Sequence, residues 1–214
     1  MAADIFVYLD SVQFSKNGLQ NRNQIKGGQG ALWLTVPVKH KLGVTILETE
    51  VAEPKATRKH WKTLQANYSH SAGFNRWHED LARLFEANET SLAELTISST
   101  EWMLHRLDVQ TERIRASEML ETYGHASKLV ASICKELGAT TYLTGAGALE
   151  YLDADDFEAI GCAVEVQQWQ KFNYEQQHKT LGFVPDLSTL DLLLNAPDQA
   201  AELIMAAGSW KPLK

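Results

Sequence analysis

Two hydrophobic periods alternate along the second half of the chain, and that alternation narrows the fold before composition is considered. Ser127 to Leu137 carries its apolar residues at helical spacing, and Gly138 stops the run. Thr140 to Thr144 then reads as a buried strand, which Gly145-Ala146-Gly147 turns into a helix carrying Leu149, Tyr151 and Leu152. Cys162 to Gln168 alternates as another strand, and Leu190 to Asn195 and Gln199 to Ala207 read as closing helices. Strands interleaved with helices predict an α/β protein, a sheet with helices packed on it.

The first half reads less regularly. Asp4 to Phe14 has strand alternation, and a polar loop runs from Ser15 to Gln24. Gly27-Gly28-Gln29-Gly30 resembles a turn into a second strand, Ala31 to Val38, and Ile46 to Val51 suits a further short one. Pro54 fits the first turn of a helix in which Trp61, Leu64 and Tyr68 recur at helical spacing. Helices are also expected near Phe74 to Ala87 and from the capping-box pattern Ser91-x-x-Glu94 through Trp102. No repeat, low-complexity tract or Pro/Gly-rich linker interrupts residues 1–214, which predicts one domain.

Charge and cysteine usage exclude several classes. Residues 1–80 hold ten Lys/Arg against seven Asp/Glu, whereas residues 81–214 hold ten against twenty, so the net charge of -7 divides into +3 and -10. Overall acidity opposes a broad nucleic-acid footprint yet leaves room for a basic patch that meets a small anionic ligand. No stretch approaches the roughly 20 apolar residues of a membrane span, and Met1-Ala2-Ala3-Asp4 does not open a secretory signal. Cytoplasm is the expected address. Cys134 and Cys162, the only cysteines, lie on faces that read as buried, which suits packing in a reduced compartment. The seven histidines show no HExxH spacing and no GxSxG elbow occurs, so neither a metal centre nor a serine hydrolase is expected. Asp153, Asp155 and Asp156 resemble a helix-capping cluster rather than a metal site.

Candidate chemistry concentrates in the first third. Asp10 ends an apolar strand, with Gln13 in the same segment, where a carboxylate can act as a base or orient a substrate; a turn or cap role competes. Asn21-Arg22-Asn23, with Lys16 and Gln20 nearby, is dense in donors and acceptors and suits a sugar, amide or phosphate, the alternative being an Asx-rich turn. Lys55, Arg58, Lys59 and Lys62 follow i, i+3, i+4, i+7, which makes either a solvated face or an anion-facing wall. Thr144-Gly145-Ala146-Gly147 either closes a tight turn or presents backbone N–H groups to an anion.

Taken in order, several of these segments resemble the WbqC-like family of bacterial proteins. The likeness runs through Phe6 to Phe14, Asn21 to Ile25, Trp33 to Val38, Ala66-Asn67-Tyr68, Thr141 to Gly147 with Tyr151-Leu152, and Phe183 to Ser188 with Asp191 and Asn195. It spans nearly the whole chain. The resemblance implies a role near O-antigen or other surface-polysaccharide and specialised-metabolite genes, where transfer of glycine or another aminoacyl group onto an amino sugar has been proposed for some relatives. It also implies substrate-binding roles for Tyr68, Tyr174, Gln176 and Ser188. The Gly loop and strand order further resemble nucleotidylyltransferase-type α/β folds. Two departures accompany the likeness. Members of the family open with an additional strand and a loop resembling Met-Gln-Pro-x-Phe-x-Pro, a segment after which this chain starts; an earlier start, a trimmed chain or a deletion each accounts for that, and a deletion costs a sheet strand and part of the pocket. The family's His-Pro-x-Tyr-x-Gln pattern reads here as Lys171-Phe172-Asn173-Tyr174-Glu175-Gln176, without the histidine.

The expected function is therefore acyl or aminoacyl transfer onto the amine of a sugar nucleotide or similar small metabolite. Asp10 and Gln13 are the expected catalytic pair. Lys16, Asn21, Arg22, Asn23, Arg58, Lys59, Lys62, Tyr68, Thr144, Gly145, Gly147, Tyr174, Gln176 and Ser188 are expected to bind substrate. The donor would ride on a carrier protein or tRNA, or be a nucleotide. A non-catalytic partner of a polysaccharide or natural-product pathway and a nucleotidyltransferase-like enzyme are the alternatives.

Overall fold

A computed structural model describes residues 2–39, 41–120 and 124–213. Its contacts divide the chain into two compact units, one made of Met1–Leu9, Thr111–Phe172 and Ile204–Lys214, the other of Asp10–Gln110 and Asn173–Leu203. The class is α/β as expected, but among the described residues the strands form three small sheets rather than one.

The first unit contains β1 (Ile5–Tyr8), β4 (Glu112–Arg115), α4 (Ser127–Glu136), β5 (Thr141–Thr144), α5 (Ala154–Glu158), β6 (Ala163–Trp169) and β7 (Gly208–Pro212). β1 pairs parallel with β4. β6 is central to a second sheet, parallel to β5 and antiparallel to β7. Val130, Ala131, Cys134, Phe157, Cys162 and Val164 form its core. Both thiols are buried, and burial pushes Cys134 up to about 12, so packing is their role here. Asp153 caps α5 through the Asp155 N–H, as its clustering with two further aspartates indicated. β4 and β7 are strands that periodicity did not reveal. β5 is less buried than its apolar run suggested, with Thr141 exposed. The segment after Gly145 is only a 3-10 turn, Ala146–Glu150, none of whose residues is buried. Of the expected helix's apolar residues only Leu152 packs against the core, while Leu149 and Tyr151 stay exposed, too little burial to stabilise a longer helix.

The second unit holds β2 (Arg22–Gly27), β3 (Gly30–Thr35), α1 (Ala56–Tyr68), α2 (Ala72–Glu86), α3 (Leu92–Arg106) and α6 (Thr189–Asn195); α7 (Ala200–Ala207) contains the boundary between the units. β2 and β3 make a hairpin whose register ends Gly27 to Gly30, with Gly30 at φ +115°, a value that favours glycine. Residues 22–24, expected in a loop, are the first rungs of this ladder. Their polar side chains hide a strand that partner hydrogen bonds impose. Conversely, residues 46–51 make only isolated bridges, Val38 to Val51 and Glu50 to Ser91. The strand expected from Asp4 stops at Tyr8; beyond it Phe14 N–H donates to the Val44 carbonyl at 2.9 Å and Leu47 N–H to that of Asp10 at 2.9 Å.

Helix positions follow the apolar spacing closely. α1 buries Trp61, Leu64 and Tyr68, and Ser91 caps α3 by accepting the Glu94 N–H at 3.3 Å. Ile25, Leu64, Tyr68, Phe74, Leu81 and Leu194 join Trp61 in the core, where the Trp61 and Phe74 rings stack at 5.3 Å. α2 meets α6 at Gly73: a Cβ there would stand 2.2 Å from the Leu193 carbonyl oxygen. Only a residue without a side chain permits that approach.

Candidate functional site

Asp191 anchors the second unit. It lies in the first turn of α6, a helix capped by Ser188, and is fully buried. Its Oδ1 accepts from the Tyr68 hydroxyl and from the Lys26 backbone N–H (3.2 Å). Its Oδ2 accepts from the Tyr174 hydroxyl (2.7 Å) and from Gln176 Nε2 (3.2 Å). A buried carboxylate is stable only when its lone pairs are occupied in this way. Burial first, and then the Asp191 charge, raise the pKa of both tyrosines well above the phenol range, so both remain donors. The Lys26 ammonium is shifted down by burial, with Asp191 opposing, and donates to the Gly182 carbonyl at 2.6 Å. The Gln176 amide is pinned from both ends, donating to the Val184 carbonyl at 3.0 Å and accepting from the Val184 N–H at 3.0 Å. The node thus ties β2, the end of α1, residues 174–184 and α6 into one frame.

Against that frame lies a cavity of roughly 360 Å³. β2 and the loop before it supply Gln20, Asn21, Arg22 and Asn23; α1 supplies Thr57 and His60; α6 is entered through Ser188. Aliphatic and aromatic side chains, among them Leu84, Phe85 and Met103, form the floor, and α3 adds Thr96, Ser99 and Thr100.

His60 is the lining group best suited to proton transfer. Its Nε2 lies 3.0 Å from the Thr35 carbonyl oxygen, an acceptor that requires the proton on Nε2 and leaves Nδ1 with a lone pair. Desolvation lowers its pKa below the ordinary histidine value, the Thr35 contact partly offsetting the shift, so the ring is a neutral base near pH 7.

The expected residues divide into groups. Asn21, Arg22, Asn23 and Ser188 come together at the cavity. The Arg22 guanidinium, however, donates to the Asn17 carbonyl and stacks 4.4 Å over Trp33, so it braces the preceding loop. Tyr68, Tyr174 and Gln176 surround Asp191. Lys55, Arg58, Lys59 and Lys62 are exposed on the side of α1 opposite its buried residues, and Lys59 pairs with Glu53 at 3.5 Å. Asp10 is buried, Gln13 and Lys16 are exposed, and none of the three is among the cavity's lining residues. Thr144, Gly145 and Gly147 belong to the other unit, at the end of β5. Sequence reasoning overlooked His60, Lys26 and the α3 hydroxyls. The last carried a usable signal, because Thr96, Ser99 and Thr100 recur at i, i+3, i+4 between the apolar Leu95 and Trp102.

Comparison with known proteins agrees with the motif resemblance. The profile of the WbqC-like protein family matches residues 1–203. "Uncharacterized protein Rv1507c" of Mycobacterium tuberculosis is 31% identical over 206 residues, covering 94% of this chain and 87% of that protein. No solved structure matches the chain significantly. No described helix is long and apolar enough to cross a membrane. With a match over almost its full length, the chain belongs to the WbqC-like protein family.

Proposed function

We propose that the protein transfers an acyl or aminoacyl group onto the amine of an amino sugar nucleotide or a related small metabolite. The observation that carries this reading is a neutral His60 facing a cavity that is apolar at its floor and hydrogen-bonding at its walls. His60 Nδ1 removes a proton from the incoming amine as the nitrogen attacks the donor carbonyl carbon. A C–N bond forms and the donor's C–O or C–S bond breaks. The departing hydroxyl or thiol keeps the bonding pair and takes up the proton. The cavity is at the small end of ligand sites, so it suits one moiety of a substrate rather than a whole sugar nucleotide. The carrier of the donor, a protein or tRNA, then remains outside it.

The test mixes the protein with an amino sugar nucleotide and an aminoacylated carrier and follows the mass of the acceptor. Product is expected, and His60→Gln lowers its rate by roughly 10²- to 10⁴-fold, the usual worth of general-base catalysis. Absence of product with the unaltered protein, or equal rates with His60→Gln, defeats the proposal. Binding without chemistry is the second reading, favoured by the largely aliphatic and aromatic lining. In that case sugar nucleotides raise the melting temperature while no bond is made.

A further inference from the structure

Internal hydrogen bonds decide what the polar groups of the cavity still have to offer. On α3, the Thr96 hydroxyl donates to the carbonyls of Leu92 (2.9 Å) and Ala93 (3.1 Å), and Ser99 (2.9 Å) and Thr100 (2.8 Å) both donate to the carbonyl of Thr96. Their protons are spent. What the three hydroxyls present to a ligand is lone pairs. Gln20, Asn23 and Ser188 show the reverse pattern, whereas Asn21 beside them donates from its Nδ2 to the Val36 carbonyl at 2.8 Å. Gln20 Oε1 accepts the Ser15 N–H at 2.7 Å, Asn23 Oδ1 accepts the Gln24 N–H at 2.8 Å, and Ser188 Oγ accepts the Leu190 N–H at 3.2 Å. With their acceptors engaged, these side chains offer N–H and O–H donors. A ligand matching both walls carries a hydrogen-bond donor at one end and a carbonyl-type oxygen at the other. The same cavity is lined by Leu84, Phe85 and Met103, which reward an apolar substituent and give a hydrogen atom nothing to bury against.

We infer that this cavity takes the aminoacyl group of the donor, and that the group bears an apolar side chain of leucine or methionine size rather than being glycyl. The α-amino group rests on the hydroxyl oxygens of Thr96, Ser99 and Thr100, the carbonyl oxygen meets Asn23, Gln20 and Ser188, and the side chain fills the floor. The inference rests on the transferase reading above, with which it shares the cavity, but its first test needs no turnover.

Calorimetric titration of the full chain with L-leucinamide, glycinamide, N-acetyl-L-leucinamide and 4-methylpentanamide separates the contributions. Leucinamide is expected to bind roughly 10- to 100-fold more tightly than glycinamide, the factor that burying one aliphatic side chain supplies. N-acetylation and removal of the amino group should each weaken binding about tenfold or more. In Thr100→Val, a change of nearly equal volume, leucinamide should weaken while 4-methylpentanamide stays unchanged. Glycinamide binding as tightly as leucinamide, or N-acetyl-leucinamide binding as tightly as the free amine, overturns the inference with the unaltered protein alone. The two proposals fail separately. Preferential leucinamide binding without product in the transfer assay removes the transferase reading and leaves the ligand class standing. Product from a glycyl donor at a rate equal to a leucyl donor does the opposite.

Discussion

Replacing Asp191 by asparagine keeps the volume of the side chain and changes only its hydrogen-bonding capacity, which makes it a sharp probe of the buried node. The amide nitrogen must occupy the place of one carboxylate oxygen. In the Oδ2 position it faces the Gln176 Nε2 donor, and that amide cannot flip because Val184 holds both of its ends. In the Oδ1 position it faces the Lys26 backbone N–H, which cannot rotate at all. Either choice leaves a buried donor opposed by a donor, a loss of about 1–3 kcal/mol. The remaining bonds also change from charge-assisted to neutral, a further loss of about 1 kcal/mol. Relief of the carboxylate's desolvation offsets part of this. A net destabilisation of about 1–3 kcal/mol follows, equivalent to roughly 2–12 °C in melting temperature for a protein of this size. Differential scanning calorimetry of both proteins at neutral pH measures it. A melting temperature within about 1 °C of the unaltered protein refutes the claim that these donors depend on the carboxylate.

Gly73→Ala inserts a methyl group where the Leu193 carbonyl oxygen and the Leu194 Cα stand 2.2 and 2.8 Å from its position, so α2 and α6 must part; a loss of about 1–3 kcal/mol or more is expected in urea denaturation. Ser91→Ala removes the acceptor that caps α3 and should cost about 1 kcal/mol by the same measurement, with Ser91→Gly milder. Because His60 titrates in the folded protein below its unfolded value of about 6.5, the unfolded chain binds the proton first as the solution is acidified. Stability associated with this residue is therefore full above about pH 6.5 and declines as pH falls from there to the folded pKa; comparing His60→Gln with the unaltered protein across that range should show a shallower acid-side slope in the variant. In the transfer assay the same shift keeps His60 active as a base at pH values where an ordinary histidine is already half protonated.

Much of the fold was legible from periodicity because burial on one face of a helix writes itself into spacing. Trp61, Leu64 and Tyr68 located α1, the Ser91-x-x-Glu94 pattern located the start of α3, and the glycine run located the β2–β3 turn. The failures have equally physical causes. Residues 22–24 are polar, and only pairing with Leu34 and its neighbours makes them a strand. The segment after Gly145 has helical spacing, but Leu149 and Tyr151 remain exposed and only Leu152 reaches the core. Within the candidate site, the polar density of Asn21-Arg22-Asn23 pointed to the right region, while nothing in the local sequence marks His60, whose significance depends on the Thr35 carbonyl 25 residues earlier.

By itself, the amino-acid sequence determined the α/β class, most of the long helices, the buried cysteines and the family, since each depends on composition or on short-range pattern. Tertiary structure alone decided that Tyr68, Tyr174, Gln176 and Lys26 converge on Asp191, and that Arg22 braces a loop while His60 faces the cavity. Those outcomes depend on hydrogen bonds between residues as much as 165 positions apart, and a donor's partner over such separations is fixed by packing geometry, which no local pattern encodes.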